Sequence, residues 1–300
     1  MLPPFYDTPR YKDVNIYLRK IAEEFSIKIE KHSYLKYAFG NDVFIVNDKN
    51  VFRFPKAKQA IDHLKHEINF LKFLKGKVKI NIPNYTYISK NRDFAGYSII
   101  KGKILTSAMF KYLNKKNKGK VVNQLIEFVN DFHRINLNDL SKYKPMKRED
   151  FIPIEKKIEH ELENKLFPKL SKKEVKMIKN FYQESKKYLQ NVPSTCTIHG
   201  DLYAYNVLWN KNKSEVGVID FSNYFIGDPA RDFEVFYDFG PQYPEIAYQK
   251  YEGPKDEDFL KRAEIYYKVH GIYTLLSSLL GAHISFDYAY SRFFKEKFNL

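Results

Sequence analysis

The chain has 300 residues, 44% of them hydrophobic, with 51 Lys and Arg against 36 Asp and Glu for a formal net charge of +15, and one cysteine. That length and apolar content suit two lobes of ordinary domain size. A disulfide-stapled scaffold is excluded, since Cys196 has no partner, and no apolar run reaches the ~18 residues of a membrane span, nor is there a charged-then-apolar leader, so a cytoplasmic protein is expected.

The first element is a helix. In DVNIYLRKIAEEF, Val14, Leu18, Ile21, Ala22 and Phe25 recur at helical spacing, and Asp13 is placed to cap the first turn. Three strand-like runs follow, SIKIEKHSYLKY, DVFIVND and NVFRFP, separated by the turn-rich FGND and NDKN, and they read as an antiparallel meander. AKQAIDHLKHEINFLKFLKG then repeats apolar residues at 61, 64, 68, 71 and 74, with Gly76 where a helix-terminating glycine belongs. INIPNYTYIS and FAGYSIIKG supply two more strands. The first part is therefore expected to be a small antiparallel sheet with one packed helix, spanning residues 1–102.

Beyond Gly102 the periodicity is helical, which marks a larger, mainly helical lobe over 103–300 and makes the fold class α+β. The Lys run KYLNKKNKGK carries no interleaved aromatic platform and no RNA-binding motif, so it reads as a solvated helix face and nucleic acid is not expected as a partner. VVNQLIEFVNDFHRI places Val121, Leu125, Phe128, Val129 and Phe132 on one stripe, a core helix. EKKIEHELENKLF and KKEVKMIKNFYQESKKYLQ add two helices, the second ended by Pro193, and residues 243–298 read as further helices. Between them lies one β-rich insert, TIHGDL, NVLW and VGVIDF, expected to form a short hairpin. A small β lobe joined to a helical lobe carrying such a hairpin is the outline of a kinase.

The insert also carries the chemistry. Phosphoryl transfer needs a group at the acceptor hydroxyl, metal ligands on the phosphates, and positioning of both, with little covalent work from the protein. Asp201 can take the hydroxyl, Asn206 offers a neutral oxygen to Mg²⁺ five residues on, and Asp220 ends the next strand with a carboxylate. The layout follows the protein-kinase pattern H-R-D-x-x-x-x-N and D-F-G, with Gly200 in place of the Arg and Ser222 in place of the last Gly. His199 reads as organising the loop by hydrogen bonding. Asp228 before Pro229 reads as a helix cap, Asp232 as a brace for the catalytic loop, and Cys196 as a small buried filler.

HGDLYAYN followed by GVIDFSNYFIGDPARDFE resembles the aminoglycoside phosphotransferase family, whose kinases share the protein-kinase-like fold; the likeness runs from about Phe39 to about Leu280. FGNDVFIV resembles the family's nucleotide loop, VFRFPK its phosphate-contacting strand and FAGYSIIKGKIL its hinge, and the look is nearest to the aminoglycoside 2''-phosphotransferases. By position, the resemblance implies Asp201 as catalytic base and Asn206 and Asp220 as magnesium ligands. It implies nucleotide contacts at Gly40 and Asn41 in the loop and at Tyr97, Ser98, Ile99 and Ile100 in the hinge, with ATP or GTP as phosphate donor.

The small lobe departs from the kinase pattern where a lysine is usual on the third strand. Arg53 stands there, keeping the charge and adding a fork suited to phosphate oxygens. Glu67, on the inward edge of its helix, is the expected partner. Gly40 is the one glycine of the loop, and Ser222 and Asn223 replace residues often Gly and Asp in the antibiotic kinases.

Residues 228–300 hold 12 acidic and 9 basic residues, net −3, leaving +18 on residues 1–227. Aminoglycosides are polycations, so Glu234, Asp238 and Glu245 are the expected substrate carboxylates, with Glu252 and Asp256 to Asp258 as further candidates. Tyr237, Tyr243 and Tyr248 could line a site for a quaternary amine such as choline, against the plainer reading of packing. The expected protein is a monomeric, magnesium-dependent small-molecule O-kinase acting on an aminoglycoside. A metabolite kinase for choline, homoserine or a sugar, and a nucleotide-binding pseudokinase, are the alternatives.

Overall fold

The computed structural model describes residues 10–35, 40–143, 145, 152–190, 192, 195–282, 284–298 and 300. Helix α1 (Val14–Phe25) begins as its sequence requires, with the Asp13 carboxylate accepting from the Asn15 amide at 2.8 Å. Strands β1 (His32–Leu35), β2 (Asn41–Val46) and β3 (Asn50–Pro55) form the antiparallel meander. Helix α2 (Lys58–Leu74) and strands β4 (Tyr85–Ile88) and β5 (Ala95–Ser98) follow, and the five strands order as β1-β2-β3-β5-β4.

Alternation along the strands sends side chains to two different cores. Val43 and Val51 face α2 and pack with Leu64, Ile68 and Leu71, while Phe44, Phe52 and Phe54 face α1 and pack with Tyr17 and Ile21. The sheet is thus covered by two helices, not the one expected, because the stripe on α1 needs an apolar partner and the aromatic face of the sheet supplies it. Gly96 leaves room for the Phe52 ring: a Cβ there would lie 2.5 Å from that ring and 2.9 Å from the Val51 carbonyl.

The chain leaves the sheet through Gly102 (φ +145°), where a side chain would strike the Trp209 backbone at 2.9 Å. Then come β6 (Lys103–Ile104), α3 (Ser107–Tyr112), α4 (Lys115–His133), α5 (Leu137–Leu140), α6 (Ile152–Glu161) and α7 (Lys172–Leu189). Reciprocal bonds between Ser171 and Glu174 cap α7. Its last residue is Leu189; Pro193, expected to end it, lies outside the described residues, as do Lys36 and Tyr37 of the first expected strand and Phe39 of its turn.

Strands β7 (Cys196–Ile198), β8 (Val207–Asn210), β9 (Glu215–Val218) and β10 (Phe225–Gly227) make up the β insert, and α8 (Glu234–Phe239), α9 (Tyr243–Lys250), α10 (Phe259–Leu279), α11 (Phe286–Ala289) and α12 (Glu296–Phe298) complete the chain. The expected hairpin is β8–β9, but β6 joins it as a third strand, and β7 pairs with β10 in a separate ribbon. Asp201 and Asp220 therefore follow strands of two different small sheets. The large core runs without interruption from Val43 in the sheet, through Phe128 and Phe132 of α4, to Phe259 and Ala263 of α10; a second core joins α6, α7 and α10.

Candidate active site

The tight turn after β7 places the catalytic loop. His199 and Gly200 both donate their amides to Asp232, at 2.7 and 2.9 Å, and the Arg231 Nε donates to the Gly200 carbonyl at 3.1 Å. Asp232 is buried, and burial works to raise its carboxyl. The His133 ring, 3.0 Å away and itself held by the Tyr251 hydroxyl at 2.8 Å, keeps it below the usual carboxylate range. Asp232 is thus the brace that the sequence suggests, and Asp228 caps the next turn through the Ala230 amide while also holding Arg262 at 2.8 Å. His199 is fully buried with its Nε2 3.2 Å from the Ile219 carbonyl. It ties the turn of Asp201 to the residue before Asp220, an organising contact.

Gly200 sits in the left-handed region at φ +76°, and a Cβ would lie 2.7 Å from the Phe225 ring and 2.8 Å from the Asn223 carbonyl. This explains glycine where protein kinases carry arginine. One residue on, the Asp201 carboxylate accepts from the Asn223 Nδ2 at 3.2 Å. Burial pushes Asp201 up from its ordinary value, and the Asp220 charge adds to the effect.

Asn206 is buried, and its Nδ2 donates to the Asp201 carbonyl at 2.9 Å, which leaves its Oδ1 for another partner. Asp220 follows β9 by two residues, with a left-handed backbone, φ 65° and ψ 65°. Its Oδ1 accepts from the Ser222 hydroxyl at 2.8 Å and from the Arg53 Nη2 at 3.3 Å. Burial would raise this carboxyl, but the charge of Arg53 and the Ser222 bond hold it down. Ser222 and Asn223, the departures from the antibiotic-kinase pattern, each support one of the two carboxylates.

Arg53 is the link across the lobes. Its Nη1 meets both Glu67 oxygens at 2.8 Å and the Tyr85 hydroxyl at 3.0 Å, all of them buried. Desolvation would favour losing its proton, yet Glu67 holds the guanidinium firmly charged. Tyr97 is buried edge-on to Tyr85 at 5.1 Å, with Ser98 exposed beside it and Ile99 donating its amide to Lys49 at 2.7 Å. The Ile100 side chain lies against Gly217, whose missing Cβ would otherwise meet it at 2.7 Å. Gly40 (φ 65°) accepts from the Lys56 amide at 2.9 Å, and Asn41 pairs with Pro55, so on the neighbouring strand Asn41 lies two rungs from Arg53 and Gly40 one residue further.

Among the described residues no group of three or more His, Cys, Asp and Glu side chains converges as an all-protein metal cage. The open oxygens of Asn206 and Asp220 instead fit a hard cation that draws its other ligands from phosphate and water, the habit of Mg²⁺.

On the acidic side, Glu234 and Asp238 are drawn to the catalytic loop. Asp238 accepts from the Ala204 amide at 2.9 Å, and Glu234 accepts from His270 Nδ1 at 3.1 Å, whose ring stands edge-on to Tyr203 at 4.5 Å. Burial raises the Asp238 carboxyl, whereas the His270 bond outweighs burial at Glu234 and lowers it. Glu245 stands on the exposed face of α9, bonded to Gln249 one turn on; Glu252 pairs with Arg134, and Asp256 with Arg262. Tyr237, Tyr243 and Tyr248 pack against the main core, the plainer of their two readings. Sequence reasoning missed Tyr85, Tyr203, His133, His270 and Arg231. Tyr203 and Arg231 lay within the quoted motifs, and the others meet the site from distant elements with no local pattern to flag them.

Residues 37–264 match the family described as "Phosphotransferase enzyme family" (APH). Among solved structures, the GDP complex of wild-type aminoglycoside 2'-phosphotransferase-IIIa is 25% identical at a TM-score of 0.79, covering 96% of this chain and 99% of that one. The GDP and kanamycin complex of the APH(2") type III enzyme is 26% identical at 0.77, covering 95% and 96%. A macrolide 2'-phosphotransferase type I, 15% identical at 0.69 over 96% and 99%, shares the fold.

Proposed function

The chain belongs to the phosphotransferase enzyme family, and on that premise we propose that it moves the γ-phosphoryl group of ATP or GTP to a hydroxyl of an aminoglycoside. The observation that carries this reading is the separation of two neighbouring carboxylates. Asp201 is pushed up by burial, and Asp220 is held down by Arg53 and Ser222. Environments that drive paired acids apart assign their roles. Asp201 is the group that accepts a proton from the attacking hydroxyl, oriented by Asn223. Asp220 stays ionised and, with Asn206, would hold Mg²⁺, which supplies charge neutralisation on the nucleotide phosphates.

Arg53, fixed by Glu67, would steady the phosphates. Gly40, Asn41, Tyr97, Ser98, Ile99 and Ile100 would border the nucleotide between residues 1–102 and the helical part, 103–300. Glu234, Asp238 and Glu245 would present negative charge to the cationic acceptor, two of them against the catalytic loop. A structural relative bound to GDP and kanamycin supports both substrate classes. No described helix is long and apolar enough to cross a membrane, and we place the protein in the cytoplasm as a monomer.

The test is magnesium-dependent release of nucleoside diphosphate from ATP and, separately, GTP across kanamycin, gentamicin, streptomycin, choline and homoserine, with Asp201→Asn as control. Release with an aminoglycoside that drops by ~10²–10⁴ in the variant is expected. Release with choline or homoserine alone would keep the chemistry and overturn the acceptor; silence with bound nucleotide would point to a pseudokinase.

A further inference from the structure

One buried carboxylate has no place in the proposed chemistry. Asp42, on β2, is fully enclosed, and a buried charge is costly unless hydrogen bonds and an opposite charge answer it. Four segments answer this one. The Tyr17 hydroxyl of α1 donates to one oxygen at 2.5 Å and the Arg10 amide to the same oxygen at 2.7 Å, while the Tyr34 hydroxyl of β1 donates to the other at 2.8 Å. The Lys56 ammonium, just beyond β3, stands 3.9 Å from that second oxygen, with its side chain 2% exposed. Arg10 is itself fixed to the β4–β5 turn by the Asp93 carboxylate at 2.6 Å.

These contacts surround the root of the loop assigned to the nucleotide. Tyr34 stands on the strand that enters the loop, and Asp42 on the strand that leaves it, two residues after Gly40. Lys56 holds the loop twice, since its amide donates to the Gly40 carbonyl at 2.9 Å and its ammonium faces Asp42. Asp42 is the cross-strand partner of Phe54, which packs in the core under α1, and Arg53 is the partner of Val43, which packs against α2. The loop is thus held from behind, on the face of the sheet opposite Arg53.

We propose that Asp42 is a positioning residue for the phosphate donor: with Lys56 it clamps the root of the loop from the α1 face and fixes the Gly40 and Asn41 backbone where a nucleotide would meet it. The proposal rests on the nucleotide reading above. A satisfied buried polar network fixes one arrangement of the segments it joins, which apolar packing does less sharply, and backbone amides cradle phosphate only while their loop keeps its shape. Asp42 acts through the loop and not on the reacting atoms.

Asp42→Asn keeps the shape and removes the charge, and Lys56→Met removes the ammonium while keeping the amide bond to Gly40. Phe94→Leu is the control for simple loss of stability, because Phe94 is buried in the same aromatic core, stacked on Phe54 at 4.3 Å, but lies outside the clamp. In titration calorimetry with Mg²⁺ and ATP or GTP, Asp42→Asn is expected to bind nucleotide weaker by on the order of tenfold. Lys56→Met should shift in the same direction, and in both variants the nucleotide KM should rise while the acceptor KM stays put. Phe94→Leu should lower the melting temperature and leave the nucleotide dissociation constant where it was. Parent-like nucleotide affinity in Asp42→Asn, with a lowered melting temperature, overturns the proposal, since it leaves the carboxylate a role in the fold alone. If Asp42→Asn does not melt cooperatively, Tyr34→Phe, which removes one donor from the same carboxylate and keeps the ring, carries the same expectation and the same refutation. Failure of the parent protein to bind either nucleotide would overturn the nucleotide reading. The clamp is then decided by hydrogen exchange at the Lys56 amide, which should quicken in Asp42→Asn relative to Phe94→Leu; equal protection in the two variants overturns it.

Discussion

Asp201 is raised by burial and Asp220 is lowered by Arg53, and the first of these shifts carries a stability consequence. A carboxyl whose folded-state pKa lies above its unfolded value binds its proton more tightly in the native state. Ionising it therefore weakens the fold as pH rises from the unfolded pKa through the folded one. Asp201→Asn removes that burden, so the variant should melt above the parent protein at pH 7, and the difference should close below about pH 4, where both side chains are neutral. Equal melting temperatures at pH 7 would show that the carboxylate is not strained by its site. At this scale the sequence was informative where placement depends on residue type and spacing, as for the pair of Arg53 and Glu67, the reach of Arg53 to Asp220 and the contact of Asn206 with Asp201. It was silent on Tyr85 and on the pairing of His133 with Asp232 and Tyr251, because those contacts close over 32, 99 and 118 residues and leave no local trace.

Elements show the same division. Helical stripes such as those of α1, α2 and α4 were legible because periodicity is a local property. What α1 packs against was not, since an apolar stripe does not name its partner, and neither was the separation of β7–β10 from β8–β9, which depends on pairing between segments far apart in the chain. The turn between β7 and the catalytic loop depends on Gly200, at φ +76° with three atoms closer than 3.0 Å to any added Cβ, Phe225 Cε1 and Cδ1 and the Asn223 carbonyl oxygen. Gly200→Ala must push Phe225 aside or shift Asn223, and Asn223 is the residue that orients Asp201. The expected result is a fold that persists with kcat reduced by roughly 10²-fold and little change in nucleotide affinity. Unimpaired turnover in this variant would show that the turn has slack the geometry does not reveal.

In the whole molecule, the sheet and the helical part share one core, from Val43 to Ala263, and Arg53 on β3 reaches Asp220 on the far side. Two lobes so joined should unfold together, and calorimetry should give one transition that Mg²⁺-nucleotide raises, by about 2.7 kcal/mol of stability at ~100 times the dissociation constant. A separate early transition would mean that the sheet leans on α1 more than on the shared core. The left-handed backbone at Asp220 has a consequence on a longer timescale than any assay. Apart from glycine, aspartate and asparagine are the residues best suited to that conformation, so heredity has few choices at this position. Glycine deletes the carboxylate, and asparagine keeps the turn while exchanging one oxygen for an amide nitrogen. On the metal-holding role proposed for Asp220, a lineage can therefore lose its chemistry in one step and still pass on an intact fold, leaving descendants whose shape alone would count them as enzymes.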